Sequence, residues 1–213
     1  MNIFRTLLSF GVLSLSVLSH AWVIDFEDQT ATSFNYNYPG SYTSLDITTE
    51  GHQVSIYRNN PAFGFDITDN STMPGDMPAE WGGRSLAPFG SVVDWMVFNF
   101  ETAAINEFSA QLGDLGGDSD TIQWEAYEGL DGTGGLIQTG SLFYGTASLP
   151  STYMTAFDVF RLPARSVRLR GWSSSSPNGM FIDNFSNQAV PEPATMTILG
   201  LGALVALKRR KRS

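Results

Sequence analysis

Carboxylates are the side chains of this 213-residue sequence that could most readily do chemistry. Asp94, Glu101, Glu125 and Glu128 could supply the acid and the nucleophile of a glycosidase. A retaining glycosidase needs two carboxyl groups about 5 Å apart in a cleft. Spacing along the chain does not establish that separation, so hydrolysis of a polysaccharide stays an alternative and we expect a non-catalytic protein.

A second group of carboxylates lies in the Gly-rich turn 113–120. Glu125 is the twelfth residue counted from Asp114, which is the bidentate position of an EF-hand calcium loop. Position six of that loop is Ser119 instead of glycine, and no helical pattern flanks the turn. Because Gly and Asp are the common residues of turns, an ordinary acidic loop between two strands is the better prediction.

Several other chemistries are excluded by composition. The chain has no cysteine, so it offers no thiol nucleophile, no disulfide and no Cys-ligated metal. His52 is the only imidazole once the amino-terminal segment that contains His20 is removed, which excludes a multi-His zinc site. No Gly-x-Ser-x-Gly elbow is present to support a serine nucleophile.

Charge restricts the partners. The segment between the two chain ends, residues 22–190, has 20 acidic residues, six arginines and no lysine, a net charge of −14. Nucleic acid binding depends on Lys and Arg that neutralise phosphates, so a nucleic acid partner is not expected. Such a surface favours divalent cations and neutral polymers.

Aromatic residues on loops are the candidates for sugar contacts, since rings stack on the C–H faces of pyranoses. Tyr36 and Tyr38 alternate with asparagines in a turn-rich stretch, and Trp81 lies in the Met-, Pro- and Gly-rich segment 61–88, predicted to be a long loop. Long loops in compact domains tend to be functional. Aromatic rings also fill β cores, so packing is the alternative role for each.

The elements that must position these residues are predicted to be β-strands. Short runs rich in Val, Ile, Thr and aromatic residues recur between Gly, Pro, Asn and Asp clusters, and no ten-residue stretch keeps a helical period. In the run 121–127, Ile122, Trp124 and Ala126 alternate with polar neighbours, as in a strand with one wet face. About ten strands are predicted, at 22–27, 44–49, 52–58, 92–100, 105–112, 121–127, 136–144, 154–160, 167–172 and 180–185. They predict an all-β fold, an antiparallel β-sandwich of the jelly-roll type, in one domain over residues 22–188.

The amino end has the layout of a secretory signal peptide over residues 1–21. Arg5 precedes an apolar stretch from Leu7 to Leu18, and Ser19 and Ala21 flank His20 in a pattern compatible with cleavage. We therefore expect the mature chain to begin at Trp22, outside the cytoplasm. An amino-terminal membrane anchor is the alternative.

The carboxyl end, residues 189–213, combines three elements. The first is the motif Val190, Pro191, Glu192 and Pro193. An apolar run follows, predicted to be a single membrane helix that includes Ala194, Thr197, Leu199, Gly200, Gly202 and Leu207. The last element is a basic stop, Lys208, Arg209, Arg210, Lys211 and Arg212. The run would be about 21 Å long against roughly 30 Å of hydrocarbon, so it spans only with snorkelling or local thinning, with the basic stop on the cytoplasmic side.

This three-part tail resembles the PEP-CTERM sorting signal of Gram-negative bacteria. The resemblance implies that the tail is read by an exosortase, a membrane protease that is thought to cut near the triplet. The chain would be anchored transiently in the inner membrane and would then reach the cell surface or the extracellular space. A plain membrane anchor is the alternative. The signal is an address and implies nothing about the chemistry of the body.

The body is similar to carbohydrate-binding-module and galactose-binding-like jelly rolls at its first and last strands, Ile24 to Asp28 and Phe181 to Phe185. That resemblance implies that these strands pair and that an acid from each binds a structural calcium ion, which would be Glu27 and Asp183. Two acids facing water are the alternative. Together with the sorting signal, the resemblance to these jelly rolls implies an exported protein of the cell envelope or extracellular matrix that is associated with polysaccharide. A structural or adhesive matrix protein without sugar specificity stays open as well.

Overall fold

The computed structural model describes residues 22–33, 40–72, 81–87, 94–114, 120–144, 152–173 and 180–187. The predicted signal peptide, the tail 189–213, Tyr36 and Tyr38 lie outside these ranges. The strands are β1 Val23–Ile24, β2 Thr32–Ser33, β3 Ser44–Thr49, β4 His52–Arg58, β5 Asp66–Asp69, β6 Arg84–Ala87, β7 Met96–Phe100, β8 Ile105–Asp114, β9 Asp120–Tyr127, β10 Leu136–Tyr144, β11 Thr152–Ala164, β12 Ser166–Ser173 and β13 Met180–Ser186.

Two short 3₁₀ segments, Asn70–Thr72 and Leu130–Gly132, lie within the ranges that the structure describes. None of the helical segments found there has the length and apolar character needed to cross a bilayer.

One sheet has six antiparallel strands in the order β10-β9-β12-β7-β4-β3. Alternation sets its two faces: Ile122, Trp124 and Ala126 of β9 are buried, while the residues between them are partly exposed. All five residues of β7 are buried, and the strand lies inside the sheet between β12 and β4.

The other sheet has seven strands, ordered β11-β8-β13-β6-β5-β2, with β1 also pairing β13. The first and last strands pair antiparallel as expected, with Val23 opposite Ser186 and Ile24 opposite Phe185. The short contact of β2 with β5 is parallel. Together the two sheets form the predicted β-sandwich.

Aromatic rings join the two sheets. Phe185 of β13 stacks on Phe98 of the six-stranded sheet, with ring centroids 4.5 Å apart and planes 8° apart. The ring centroid of Phe108, on β8, lies 5.6 Å from that of Phe185. Truncation of a fully buried ring costs about 3–5 kcal/mol, so this cluster is a large part of what holds the sheets together. At one corner, Trp124 Nε1 donates across the sandwich to Asp158 Oδ2 of β11 at 2.8 Å.

The sequence prediction was wrong in segment 61–88. The structure has two strands there, β5 and β6, which pair antiparallel with Ile67 opposite Leu86. Both residues are fully buried. The segment was predicted to be a loop because Pro, Gly, Asp and Met dominate it, but two buried four-residue strands need only a few apolar side chains each. The strand predicted from Val92 begins at Met96.

Candidate functional site

The solvent face of the six-stranded sheet carries a set of polar and aromatic side chains from neighbouring strands. Pairing of β9 with β12 sets Arg168 opposite Glu125 and Arg170 opposite Gln123. The alternation that buries Val167 and Leu169 turns the two arginines outward. Residues directly opposite on one face of an antiparallel pair lie close enough to interact, so strand register alone brings these charges together.

Glu125 is the acceptor at the centre of this face. Arg168 Nε donates to Glu125 Oε2 at 2.7 Å and Arg168 Nη2 lies 2.5 Å from the same oxygen. The hydroxyl of Tyr127 donates to it as well, at 2.5 Å. Burial, followed by the hydrogen bond to Glu125, raises the pKa of Tyr127 above its ordinary value. Charge-assisted bonds of this kind hold both partners in fixed orientations.

Arginines and aromatic rings alternate in what we call the guanidinium stack: Tyr127, Arg168, Trp95 and Arg170. The Arg168 guanidinium carbon lies 4.8 Å from the Tyr127 ring centroid and 4.5 Å from that of Trp95. The Arg170 guanidinium carbon lies 4.3 Å from the Trp95 centroid. Arg170 also donates from Nε and Nη2 to Gln123 Oε1, at 3.0 and 2.8 Å. The stack is therefore a rigid row of planar groups.

The loop around Asp131 closes one side of this face. Asp131, with φ of 61°, accepts through Oδ1 from the Tyr57 hydroxyl at 2.8 Å and from Asn99 Nδ2 at 2.7 Å. Burial, then the hydrogen bond and the charge of Asp131, raises the pKa of Tyr57. A Cβ atom at Gly132, where φ is +64°, would lie 3.4 Å from Arg168 Cδ, so the loop lies directly against the guanidinium stack.

A second polar cluster lies where β1 meets β13, and we call it the β1–β13 junction: Asp25, Glu27 and Asp183. Asp183 is 1 % exposed, and its Oδ2 atom has no hydrogen-bond partner among the described residues. Burial raises the pKa of Asp183 to about 8, and the charges of Glu27 and Asp25 act in the same direction. A hydrogen bond at 2.7 Å from the Asn184 backbone N–H to Asp183 Oδ1 opposes that rise.

Glu27 is held by the chain that leads into β6. Its Oε1 atom accepts backbone N–H donors from Gly83 at 2.5 Å and Arg84 at 3.0 Å. Arg84 Nη1 donates in turn to the backbone carbonyls of Glu27 and Gln29. The Arg84 guanidinium therefore provides positive charge to these two carbonyls. Asp183 Oδ2 has no such partner among the described residues.

Calcium fits this junction in part. Calcium takes six to eight oxygen ligands, including carbonyls and water, and an unpartnered buried carboxylate oxygen is a suitable donor. Glu27 and Asp183 are close enough to influence each other electrostatically, as the resemblance to jelly rolls predicted. Within the described ranges no group of three or more Asp, Glu or His side chains is arranged to hold a metal, so backbone carbonyls and water would have to complete the coordination.

Trp81 is not a sugar-stacking platform in the structure. Its ring is 2 % exposed, and its backbone carbonyl accepts from Asn70 Nδ2 at 3.2 Å. The prediction for Trp81 was therefore wrong, because the surrounding segment folds into β5 and β6 and buries the indole. Tyr36 and Tyr38 lie outside the described residues.

Of the four carboxylates proposed for hydrolysis, three have defined partners. Asp94 Oδ2 pairs with Arg58 Nη2 at 2.9 Å, Glu101 Oε1 accepts from Ser55 Oγ at 2.9 Å, and Glu125 belongs to the solvent face. Glu128 is exposed.

The guanidinium stack was not predicted as a site. Its residues were predicted only as members of the strands at 92–100, 121–127 and 167–172. The signal that could have found it is the alternation itself: two arginines two residues apart on one strand, and Gln, Glu and Tyr at the same spacing on another.

Comparison with known proteins identifies the tail. Residues 189–212 match a family model described as the PEP-CTERM protein-sorting motif. The motif implies export and membrane-anchored, exosortase-dependent sorting before processing. The match covers 24 residues and leaves the body unassigned. No curated protein sequence matches the chain significantly.

Solved structures similar to the body include adhesin and carbohydrate-binding domains and part of an α-L-arabinofuranosidase. They include the K2 cleaved adhesin domain of Lys-gingipain, with 13 % identity, 81 % of this chain and 99 % of that chain covered, and a TM-score of 0.43. A mutant of the family 29 module CBM29-2 shares 10 % identity over 68 % of this chain and 92 % of its own, with a TM-score of 0.37. TmCBM61, in complex with β-1,4-galactotriose, shares 10 % identity over 62 % and 85 %, with a TM-score of 0.36. All three scores lie below 0.5, so the fold rests on the strand pairing described above.

Proposed function

We propose that the body, residues 22–188, is a non-catalytic polysaccharide-associated domain of the cell envelope or extracellular matrix. An exosortase removes its tail after export, and the released or transferred body then acts at the cell surface. The PEP-CTERM motif supports the route. The solvent face of the six-stranded sheet supports the activity.

The guanidinium stack is the observation that carries polysaccharide binding. Sugar hydroxyls both donate and accept hydrogen bonds, and this face offers guanidinium donors beside the oxygens of Glu125, Gln123 and Asp131. The groups are held by one another before any ligand arrives, which lowers the entropy lost on binding. Two arginines and two carboxylates nearly cancel in charge, which favours a neutral polymer over an acidic one.

The absence of catalysis is supported by how the carboxylates are used. A glycosidase acid must carry a proton at working pH, whereas Asp94 and Glu125 are each paired with a guanidinium. Release of reducing sugar from a polysaccharide by the purified protein would instead establish the hydrolase alternative. Failure to bind any glycan on an array, with the fold intact, would favour a matrix-structural or adhesive role.

We also propose a structural calcium ion at the β1–β13 junction, bound by Asp183 and Glu27. The orphaned Oδ2 atom of Asp183 supports it. Calcium would replace the proton that this buried carboxylate otherwise prefers, and it would tie the last strand to the segment that follows the first.

Sorting is tested by the intact mass of the protein recovered from membrane and medium fractions of the native host. We expect a chain that begins at Trp22 and ends near Pro191-Glu192-Pro193. A mass that extends to Ser213 in every fraction would mean a simple anchored protein and would contradict exosortase processing. A Pro191→Ala/Pro193→Ala variant should keep its tail if the triplet is what the protease reads.

A further inference from the structure

The rings of the guanidinium stack are covered by its own arginines. Arg168 lies over the Tyr127 ring, and Trp95 contacts both Arg168 and Arg170. Trp95 is only 7 % exposed, so its faces are not free for a ligand. Ligand sites combine a few polar groups with apolar or aromatic surface. The stack supplies the polar groups, and the apolar surface must come from a neighbouring residue.

Strand β10 carries an exposed aromatic ring. Five large apolar side chains are exposed in the described ranges, and Phe143, at 66 %, is the only aromatic one among them. A single exposed apolar side chain is common on protein surfaces and indicates nothing by itself. The position of Phe143 relative to the stack therefore decides whether its exposure is functional.

Phe143 lies on the same face of the six-stranded sheet as the stack. A Cβ atom at Gly140 would clash with the buried Trp124 indole, so Gly140 faces the interior of the sandwich. Leu142, two residues further along, packs against the core. Because successive residues of a strand point to opposite faces, Ser141 and Phe143 are turned toward solvent, where both are exposed.

The register of β10 with β9 connects Phe143 to the stack. Ser141 lies opposite Gln123, which accepts from Arg170, and Phe143 lies opposite Thr121. Two strand spacings and a rise of two residues separate Phe143 from Arg170, which is about 12 Å between their Cα atoms. A single pyranose ring does not cover that separation, whereas successive sugar residues of a polymer do.

The surroundings of Phe143 suit a neutral sugar. The nine residues of β10 include no charged residue. Ser141 on the same strand and Thr121 on β9 offer hydroxyl groups, which both donate and accept hydrogen bonds, as sugar hydroxyls do. The flat face of the ring offers apolar area that matches the C–H face of a pyranose.

We propose that Phe143 is a stacking platform for a further sugar residue of the polysaccharide that the guanidinium stack binds, an inference that rests on the function proposed for that face. The stack holds one part of the polymer by hydrogen bonds, and Phe143 packs on the C–H face of a sugar residue further along the same chain. The site therefore takes a stretch of several residues of a neutral polysaccharide, and a monosaccharide cannot occupy both parts.

The test is affinity electrophoresis of the mature protein in gels that contain polysaccharide purified from its native host. Phe143→Ala should bind about tenfold more weakly than the wild type. Phe143→Leu should lose nearly as much, since leucine is apolar but has no flat ring, whereas Phe143→Tyr keeps the ring and should bind like the wild type. Leu162→Ala, which removes an exposed apolar side chain from β11 of the other sheet, is the control and should also bind like the wild type.

Fragments of the same polysaccharide, prepared by partial acid hydrolysis and separated by size, test whether Phe143 is a separate part of the site. Arg170→Ala should weaken the binding of fragments of every length. Phe143→Ala should weaken only the fragments that are long enough to reach the ring, and equal weakening at every length would contradict the proposal.

Full binding by Phe143→Ala or by Phe143→Leu would overturn the stacking role. If Arg170→Ala is weakened in the same gels, the function proposed for the face would still hold, whereas a wild type that is not retarded would overturn both. Equal weakening by Leu162→Ala and Phe143→Ala would assign the effect to a general loss of apolar surface and would also overturn the proposal. Melting curves of all variants show whether each keeps its fold.

Discussion

The guanidinium stack and the β1–β13 junction are both charged, but they differ in whether their charged groups have partners within the protein. On the solvent face, Arg168 is matched by Glu125 and by two aromatic rings, and Arg170 by Gln123 and Trp95. At the junction, Asp183 is buried against two other carboxylates, and one of its oxygens has no partner among the described residues.

This difference separates a surface that is stable by itself from a place that needs a proton or a cation. A buried carboxylate without compensation destabilises the fold as soon as it ionises. A matched and partly exposed array contributes less to stability, and its fixed donors and acceptors remain accessible to a ligand. The junction should therefore control stability, and the stack should control binding.

The largest expected effect is on the junction. The pKa of Asp183 rises from 3.8 to about 8 on folding, so the metal-free fold holds its proton more tightly than the unfolded chain does. Its contribution to stability is complete below pH 3.8 and is lost as the pH rises through about 8. Bound calcium offsets that loss. We expect EDTA to lower the melting temperature by several degrees at pH 8 and by less at pH 5.

The Asp183→Asn variant tests the contribution of this carboxylate alone. The amide cannot ionise, so in EDTA at pH 8 the variant should melt at a higher temperature than the wild type, and its response to calcium should disappear. Asp46→Asn, which removes an exposed acid from β3, is the control and should keep the wild-type response. No shift with EDTA, together with metal analysis that finds none bound, would remove the calcium proposal.

A smaller effect is expected on the guanidinium stack. Arg168→Ala removes the charge partner of Glu125 and the group between Tyr127 and Trp95, and should lower the free energy of unfolding by about 1–3 kcal/mol. Urea denaturation measures it, with Arg161→Ala on exposed β11 as the control. A loss as small as that of the control would mean that the stack is not an ordered unit.

The junction could be predicted from the sequence further than the stack could. The pairing of β1 with β13 and the closeness of Glu27 to Asp183 followed from a resemblance at two short strands, because both acids are adjacent to recognisable apolar residues. Strands β3, β4 and β10 have the predicted bounds, since each is a β-rich run between clear turn residues.

Alternation in the sequence indicates which residues of the stack face solvent, but it does not show that they meet. Tyr127 and Arg168 lie on β9 and β12, and Trp95 immediately precedes β7, so only the register of these three strands brings them together. Trp81 shows the converse error: an aromatic residue in a Pro- and Gly-rich segment was predicted to be exposed, but tertiary packing buried it.

The smallest expected effect is at the loop that closes the binding face. Tyr57→Phe removes the hydroxyl that donates to Asp131 and should cost about 0.5–1 kcal/mol, since Asp131 is exposed and keeps its bond from Asn99. Thermal denaturation should show a small decrease in melting temperature. A loss as large as that of Arg168→Ala would mean that the loop, and not the ion pair, holds the face together.

The most direct test of the proposed activity is the affinity of the mature protein for polysaccharide from its own host, measured by affinity electrophoresis. Arg170→Ala removes a partly exposed donor of the stack that has no carboxylate partner in the described ranges, and Arg161→Ala is the control. We predict that the wild type and Arg161→Ala are retarded equally and that Arg170→Ala binds about tenfold more weakly. A wild type that is not retarded, or an Arg170→Ala variant that binds as tightly as the wild type, would contradict polysaccharide binding at this face.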